Sequence, residues 1–405
     1  MLNLRRIIMA LCLIATFFWL LPNEAAAETE TRKVVAYHIK QLAIEKKELP
    51  ENPARFVFDS GRTFEYPDAI RGIYVTGHSA GGSKFQELLH LLDTTDLNAM
   101  VIDIKDDWGH ITYKLPEDSP YASLGQNYIK DPIEMLNVLE EKQIYPIARM
   151  VVFKDTTLPK TRPDLSFMDG DKVWVNNRGE SFVNPFLKEV WDYNVDIAIE
   201  AAKLGFQEIQ FDYVRFPEGF ERRDEDLVYD LGDYKNMDID NVQKRVYSVT
   251  DFVAYAREKL KPYGVKVSVD IFGYTATIPE APGIGQNFLK ISENVDVISS
   301  MIYPSHWTSY FGIAKPDLEP YKLVREYAKV ENMKLKELEN PPITRPWLQD
   351  FTASYLGSGN YLVYGKTEVE AQIRALYDEG ITEYLLWNAS NSYSPNVEYI
   401  PRKSQ

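Results

Sequence analysis

Ile209-Gln210-Phe211-Asp212-Tyr213-Val214-Arg215-Phe216-Pro217-Glu218 is the stretch on which the reading of this chain turns. It reads as a strand with one carboxylate, Asp212, near its C-terminal end, closed by an Arg and a Pro where the strand leaves a sheet. A buried carboxylate is costly unless paired or solvated, so an acid at a strand end faces a cleft or a partner. The pattern recurs at Val101-Ile102-Asp103-Ile104-Lys105 and at Val267-Ser268-Val269-Asp270-Ile271.

Working outward, eight apolar runs read as strands: 72–76, 100–104, 145–152, 209–214, 266–272, 295–303, 343–349 and 383–387. Helix-like stretches separate most of them, at 83–92, 131–141, 194–204, 242–260 and 368–378. Strands alternating with helices imply parallel units, and eight units over this span predict a single (β/α)8 barrel, an α/β fold of the TIM type. The connections at 154–190, after strand three, and at 217–241, after strand four, are long and fall on the C-terminal face, where barrels carry their sites. The first carries Trp174, Asn176, Asn177 and Asn184. The expected organisation is a signal peptide over 1–27, a lead-in over 28–70 and the barrel over 71–405.

The signal peptide rests on Arg5 and Arg6, the apolar run from Ile7 to Leu21 and the small residues Ala25-Ala26-Ala27. The only cysteine, Cys12, lies inside it. The mature chain therefore has no disulfide, thiolate nucleophile or Cys-ligated metal. Export without disulfides fits the envelope or surroundings of a Gram-positive bacterium, with no stable membrane insertion after cleavage. The formal charge of −15 argues against nucleic acid and other polyanions as partners. Twenty-six tyrosines offer wide stacking surfaces. The five histidines form no paired metal motif, and neither metal nor cofactor is expected.

Gly77-His78-Ser79-Ala80-Gly81 matches G-x-S-x-G between a strand and a helix, the context of a hydrolase nucleophile elbow. Barely fifty mature residues precede it, without a His-Gly-Gly segment for an oxyanion hole. A serine hydrolase using Ser79, with Asp270 and His306, is one reading. A tight glycine-permitted turn is the other, and a third has His78 bonding a substrate hydroxyl from a loop lining the cleft.

The strand-end acids point to glycoside hydrolysis, which needs one carboxyl to protonate the leaving oxygen and another to attack or to activate water. Asp212, Asp270 and Asp103 are the catalytic candidates, and Glu218 is a loop-borne rival for the proton donor. Each also has a local alternative: Asp103 paired with Lys105 on its own face or with Arg149, Asp212 with Arg215 or Arg149, Asp270 capping the turn at Gly273. Candidate substrate contacts are His78, Trp108, Arg149, Tyr303, His306, Trp347, Asp350, Trp387 and Asn388, since sugar rings stack on aromatic faces and polar groups bond hydroxyls. Asp350 could equally be a loop residue or a helix cap. A carbohydrate-binding barrel without catalysis is the alternative of another class.

Four strings, Val101 to Asp107, Gln210 to Pro217, Met301 to Trp307 and Arg345 to Phe351, resemble the putative glycosyl hydrolase domain family, distant kin of α-amylase-type barrels. The resemblance spans roughly residues 71–391. It implies a (β/α)8 barrel and a glycosidase acting on a polysaccharide or oligosaccharide. By position it places a nucleophile at Asp212, an acid/base at Asp270 and a third carboxylate at Asp350. The chain departs from the amylase type at Gln210, where that type has Arg, and at Asp270, where it has Glu.

Overall fold

The computed structural model describes residues 57–402. The signal peptide read over 1–27 and the lead-in as far as residue 56 lie outside the described residues.

Eight parallel staves close into a barrel: β1 Arg71–Val75, β2 Ala99–Lys105, β3 Tyr145–Val151, β4 Glu208–Asp212, β5 Lys266–Phe272, β6 Val297–Met301, β7 in two pieces, Ile343–Thr344 and Trp347–Gln349, and β8 Tyr384–Trp387. β8 pairs with β1, and Trp347 pairs with both Met301 and Leu385, so the ring is continuous. The expected seventh strand is broken at Arg345-Pro346, because proline has no N–H to give to a ladder. Helices α1 Lys84–Asp93, α2 Pro132–Glu141, α3 Lys188–Leu204, α4 Asn241–Leu260, α5 Phe288–Ser292, α6 Pro320–Leu335 and α7 Lys366–Asp378 lie between staves. None of the helices in the described residues is long and apolar enough to cross a membrane.

Period-two alternation separates two apolar layers. Outward residues such as Ile73, Ile102, Phe211 and Val269 join the helices in the larger core. Inward residues Tyr74, Val101, Ile147, Trp347 and Leu385 form a smaller core inside the ring. Below them, at the N-terminal end, Arg345 bonds Glu208 (2.8 Å) and Glu383 (2.8 Å). Arg345 also donates to the Tyr66 hydroxyl (3.0 Å), which in turn donates to Glu383 (2.9 Å). Tyr66 precedes the first stave, and Arg62 beside it binds Glu140 and the Leu204 carbonyl. The segment from residue 57 to 70 thus packs against the barrel as part of the domain.

The two long connections fold against each other over the C-terminal face. Met168 and Val228 exchange backbone hydrogen bonds of 2.9 Å, and Asn184 donates to the Asp230 carbonyl at 2.7 Å. Phe167, Phe186, Phe216, Phe220 and Tyr229 pack between them. Trp174 is buried there against Phe182, and Asn176 ties its own turn through Arg178 and Glu180.

Candidate active site

The inward register brings Asp103, Arg149, Asp212 and Asp270 to the C-terminal mouth of the barrel. Asp103 pairs with Arg149 across β2 and β3, and Phe211 pairs with Val269 across β4 and β5. One step further along the same ladder sets Asp212 beside Asp270. All four side chains are almost wholly buried.

Arg149 is the hub. Its Nη1 donates to Asp103 Oδ1 (2.6 Å), its Nε (3.1 Å) and Nη2 (2.6 Å) to Asp212 Oδ2, and Nη2 also to Asp107 Oδ1 (3.1 Å). The second oxygens are held too. Asp103 Oδ2 accepts from the Tyr74 hydroxyl at 2.5 Å, and Asp212 Oδ1 from the Tyr213 N–H at 2.6 Å. Tyr213 reaches that position with φ of 53°, a left-handed backbone rare for a bulky residue. Its ring lies between Lys154 and Arg215, each 4.6 Å from the centroid.

Asp270 differs. Oδ1 accepts from the indole Nε1 of Trp347 at 2.8 Å, and Oδ2 bonds no side chain or backbone group among the described residues. Burial, and then the charge of Asp212, push its carboxyl well above the usual range, which favours its protonated form. Burial also lifts Asp103, up to about 7, against the pull of Arg149. For Asp107 burial works the same way, but Arg149 and then Lys154 outweigh it and hold the group below the ordinary value.

Several sequence expectations find other partners. Lys105 does not share a face with Asp103: the ladder slips between them, and the extra residue turns Lys105 outward. There it bonds Asp155 (2.8 Å), Asn194 and two backbone carbonyls. Arg215 serves Glu218 (3.3 Å) and lies over the rings of Tyr213 and Phe272, so Asp212 pairs with Arg149 alone. Glu218 itself is exposed on its loop. Asp350 spends both oxygens on Ser394, and Asn388 bonds the Asp350 and Ser392 carbonyls and Ser390. These two tie down the C-terminal loop. No polar contact joins either side chain to the acid cluster.

Trp347 is buried, with its N–H committed to Asp270. Trp387 stacks on Tyr74 at 4.0 Å and lies under the Arg149 guanidinium at 5.2 Å. Tyr303 packs its ring near Trp387 and His306, and His306 is exposed with Nδ1 3.1 Å from Ser305 Oγ. Trp108 is half exposed just past β2. His78 is exposed and stacks on Tyr128 at 3.9 Å.

The G-x-S-x-G segment is a four-residue helical turn, Gly77–Ala80, capped by Thr76, whose hydroxyl accepts from the Ser79 N–H. The Ser79 hydroxyl bonds no histidine or carboxylate among the described residues. Both glycines answer to packing. A Cβ on Gly77 would meet Thr112 at 2.7 Å, and one on Gly81 would meet the Tyr128 carbonyl oxygen at 1.8 Å.

Two residues of the cluster were not singled out from sequence. Tyr74 could have been, as an inward polar ring at a strand end. Asp107 sits in an acid run that reads as solvated surface until Arg149 is seen to reach it. Among the described residues no group of three or more His, Cys, Asp or Glu is placed to hold a metal ion.

A closed parallel barrel with a carboxylate cluster at its C-terminal mouth defines the class. The chain matches the family described as a putative glycosyl hydrolase domain over residues 72–393, and it belongs to that family. Among solved structures it is similar to the PgaB (BpsB) glycoside hydrolase domain from Bordetella bronchiseptica. That match has 15% identity and a TM-score of 0.53, covering 80% of this chain and 94% of that one. It is also similar to a hypothetical protein from Ruminiclostridium thermocellum, at 30% identity and a TM-score of 0.41, covering 49% and 96%. The α-galactosidase TtGalA from Thermus thermophilus matches at 12% identity and a TM-score of 0.49, covering 84% and 67%. No functionally curated protein matches the chain.

Proposed function

We propose that the protein is an exported glycoside hydrolase that cleaves a polysaccharide or oligosaccharide by a two-carboxylate, retaining mechanism. The observation that carries the reading is a pair of carboxyls on adjacent strands in different settings, one bonded to a guanidinium and one buried against an indole. Asp212 accepts hydrogen bonds from the Arg149 guanidinium and the Tyr213 N–H, while burial raises the Asp270 carboxyl well above its usual range. Two neighbouring carboxyls whose environments push them apart make an acid and a nucleophile.

In the first step an Asp212 oxygen attacks the anomeric carbon. The glycosidic C–O bond breaks, and the Asp270 proton passes to the leaving oxygen. In the second step water attacks the anomeric carbon, Asp270 takes the water's proton, and the bond to Asp212 breaks. Adjacent strands lie about 4.8 Å apart, which favours the retaining spacing of roughly 5–5.5 Å over the wider inverting one. Asp270 is preferred to Asp103 as the acid because both Asp103 oxygens already accept hydrogen bonds, whereas Asp270 Oδ2 has no such donor. Trp347 orients the acid, and the Tyr74–Trp387 stack supports Arg149 from below.

The test is Asp212→Asn against a panel of oligosaccharides, with product release followed by mass. The variant should keep its fold and lose on the order of 10⁴-fold in turnover, as removal of a nucleophile does elsewhere. Near-parent turnover would overturn the assignment. Glycan affinity without any product from the parent would leave a binding barrel instead.

A further inference from the structure

We propose that Tyr213 is a positioning residue for the attack step: its left-handed backbone aims its N–H at Asp212, and two cations over its ring lock it in that place. The proposal rests on the glycosidase reading and adds a residue to the same site.

The fourth stave runs as far as Asp212, whose carbonyl still accepts from the Val152 N–H at 2.9 Å. The next residue leaves the extended backbone with φ of 53°. A bulky side chain rarely takes that conformation, because its Cβ crowds the following carbonyl. Glycine takes it freely, yet the chain has a tyrosine there. Backbone of this kind persists only where the surroundings over-determine it, and it gathers at working sites.

The conformation has a visible product. An N–H that a further strand residue would give to a ladder goes instead to Asp212 Oδ1 at 2.6 Å. Arg149 holds the other oxygen through Nε and Nη2, but its Nη2 also serves Asp107 and its Nη1 serves Asp103. A guanidinium divided among three carboxylates leaves each of them some freedom to turn. The Tyr213 N–H supplies a second point on the second oxygen, and two points fix the plane of the carboxylate.

The ring is what holds the N–H there. Lys154 Nζ and the Arg215 guanidinium each lie over it, 4.6 Å from its centroid, and Lys154 donates to its hydroxyl at 3.4 Å. Cations over an aromatic face attract it. Both are anchored in turn, Lys154 by Glu180 at 2.8 Å and Arg215 by Glu218 at 3.3 Å and over the Phe272 ring at 4.6 Å. The Tyr213 carbonyl accepts from the N–H groups of Phe153 (3.3 Å) and Arg215 (2.8 Å). The connections after the third and fourth staves and the end of the fifth thus meet at one ring, next in the chain to the attacking carboxylate.

The experiment uses the intact enzyme with α- and β-linked gluco- and galacto-oligosaccharides and chito-oligosaccharides, and reads steady-state rates beside melting points. Tyr213→Gly accepts the backbone and deletes the ring. It should lose about ten- to a hundredfold in kcat with KM within about twofold of the parent, the effect of a reacting group displaced by about 1 Å. Tyr213→Asn, which also tolerates left-handed backbone, should behave alike. Tyr213→Phe keeps a ring for both cations and should restore most of the lost kcat. Parent kcat in the Gly and Asn variants overturns the role and marks a ring that only packs. A raised KM with parent kcat also overturns it and marks a ring that touches the sugar. Loss of the fold in both variants marks a structural residue and overturns it too. Tyr213→Phe as slow as the ringless variants overturns the cation clamp. In all these cases the parent still cleaves and the glycosidase reading stands. A parent that cleaves no sugar of the panel overturns that reading, and the role of Tyr213 with it.

Discussion

Replacing Arg149 with methionine removes the one cation that holds Asp103, Asp107 and Asp212 together and keeps a similar apolar stem. Asp103 and Asp212 are nearly inaccessible, so water cannot take over the lost role. Breaking a buried ion pair from one side costs about 3–5 kcal/mol. The fold can escape part of that by holding an extra proton on one carboxyl that titrates near 3.9 in the unfolded chain. At 1.36 kcal/mol per unit this relief costs about 5.6 kcal/mol at pH 8 but about 1.5 kcal/mol at pH 5. The folded-state pKa values of the orphaned acids are raised, so the variant binds more protons folded than unfolded, and its stability falls as pH rises. The expected loss is therefore about 4 kcal/mol at pH 8 and about 1–2 kcal/mol at pH 5. Urea unfolding of parent and variant side by side, followed by tryptophan fluorescence, reads both values. An equal loss at the two pH values, or a loss under about 1 kcal/mol at pH 8, would refute the view of Arg149 as the neutralising hub.

Asp270→Asn keeps an acceptor for the Trp347 N–H and removes a carboxyl that burial raises well above its usual range. Because the folded value lies above the unfolded one, the parent loses stability as pH climbs from about 4 toward neutrality. The variant should be inactive yet more stable, with a gap that widens by up to about 1.4 kcal/mol per pH unit in that window. Parallel melting-point curves against pH would count against a raised Asp270. Gly81→Ala puts a methyl 1.8 Å from the Tyr128 carbonyl oxygen and should destabilise the fold by more than about 2 kcal/mol. A melting point equal to the parent's would show that the turn yields freely.

The barrel is legible in the sequence because period-two alternation and helix rhythm are local. The fifth strand, Lys266–Phe272, has the bounds its apolar pattern predicts. Asp103, Arg149, Asp212 and Asp270 come to one place because inward strand-end residues of a parallel barrel converge. Lys105 escapes that logic because a one-residue slip in a ladder leaves no mark in composition. Asp350 and Asn388 escape it because their partners, Ser394 and Ser392, come from a terminal loop whose return cannot be foreseen from periodicity. The third helix starts at Lys188, six residues before the apolar pattern suggests, since its first turns carry Glu189 and Asp192 on an open face. Asp107 was hidden for the opposite reason, as a charge that looks solvated and has a buried cation behind it.

The ionic floor of the barrel has a consequence for how the chain assembles. Tyr66 is bonded to Arg345, 279 positions later, and to Glu383, 317 positions later. A ribosome delivers the first of these residues long before the other two exist. Until β7 and β8 are made, Glu208 has no counter-ion and the ring has no last stave. Closure is therefore a late, long-range event, the kind that slows folding most. A chain crossing a membrane while being made would do so as open staves, and become a barrel only when its final residues arrive.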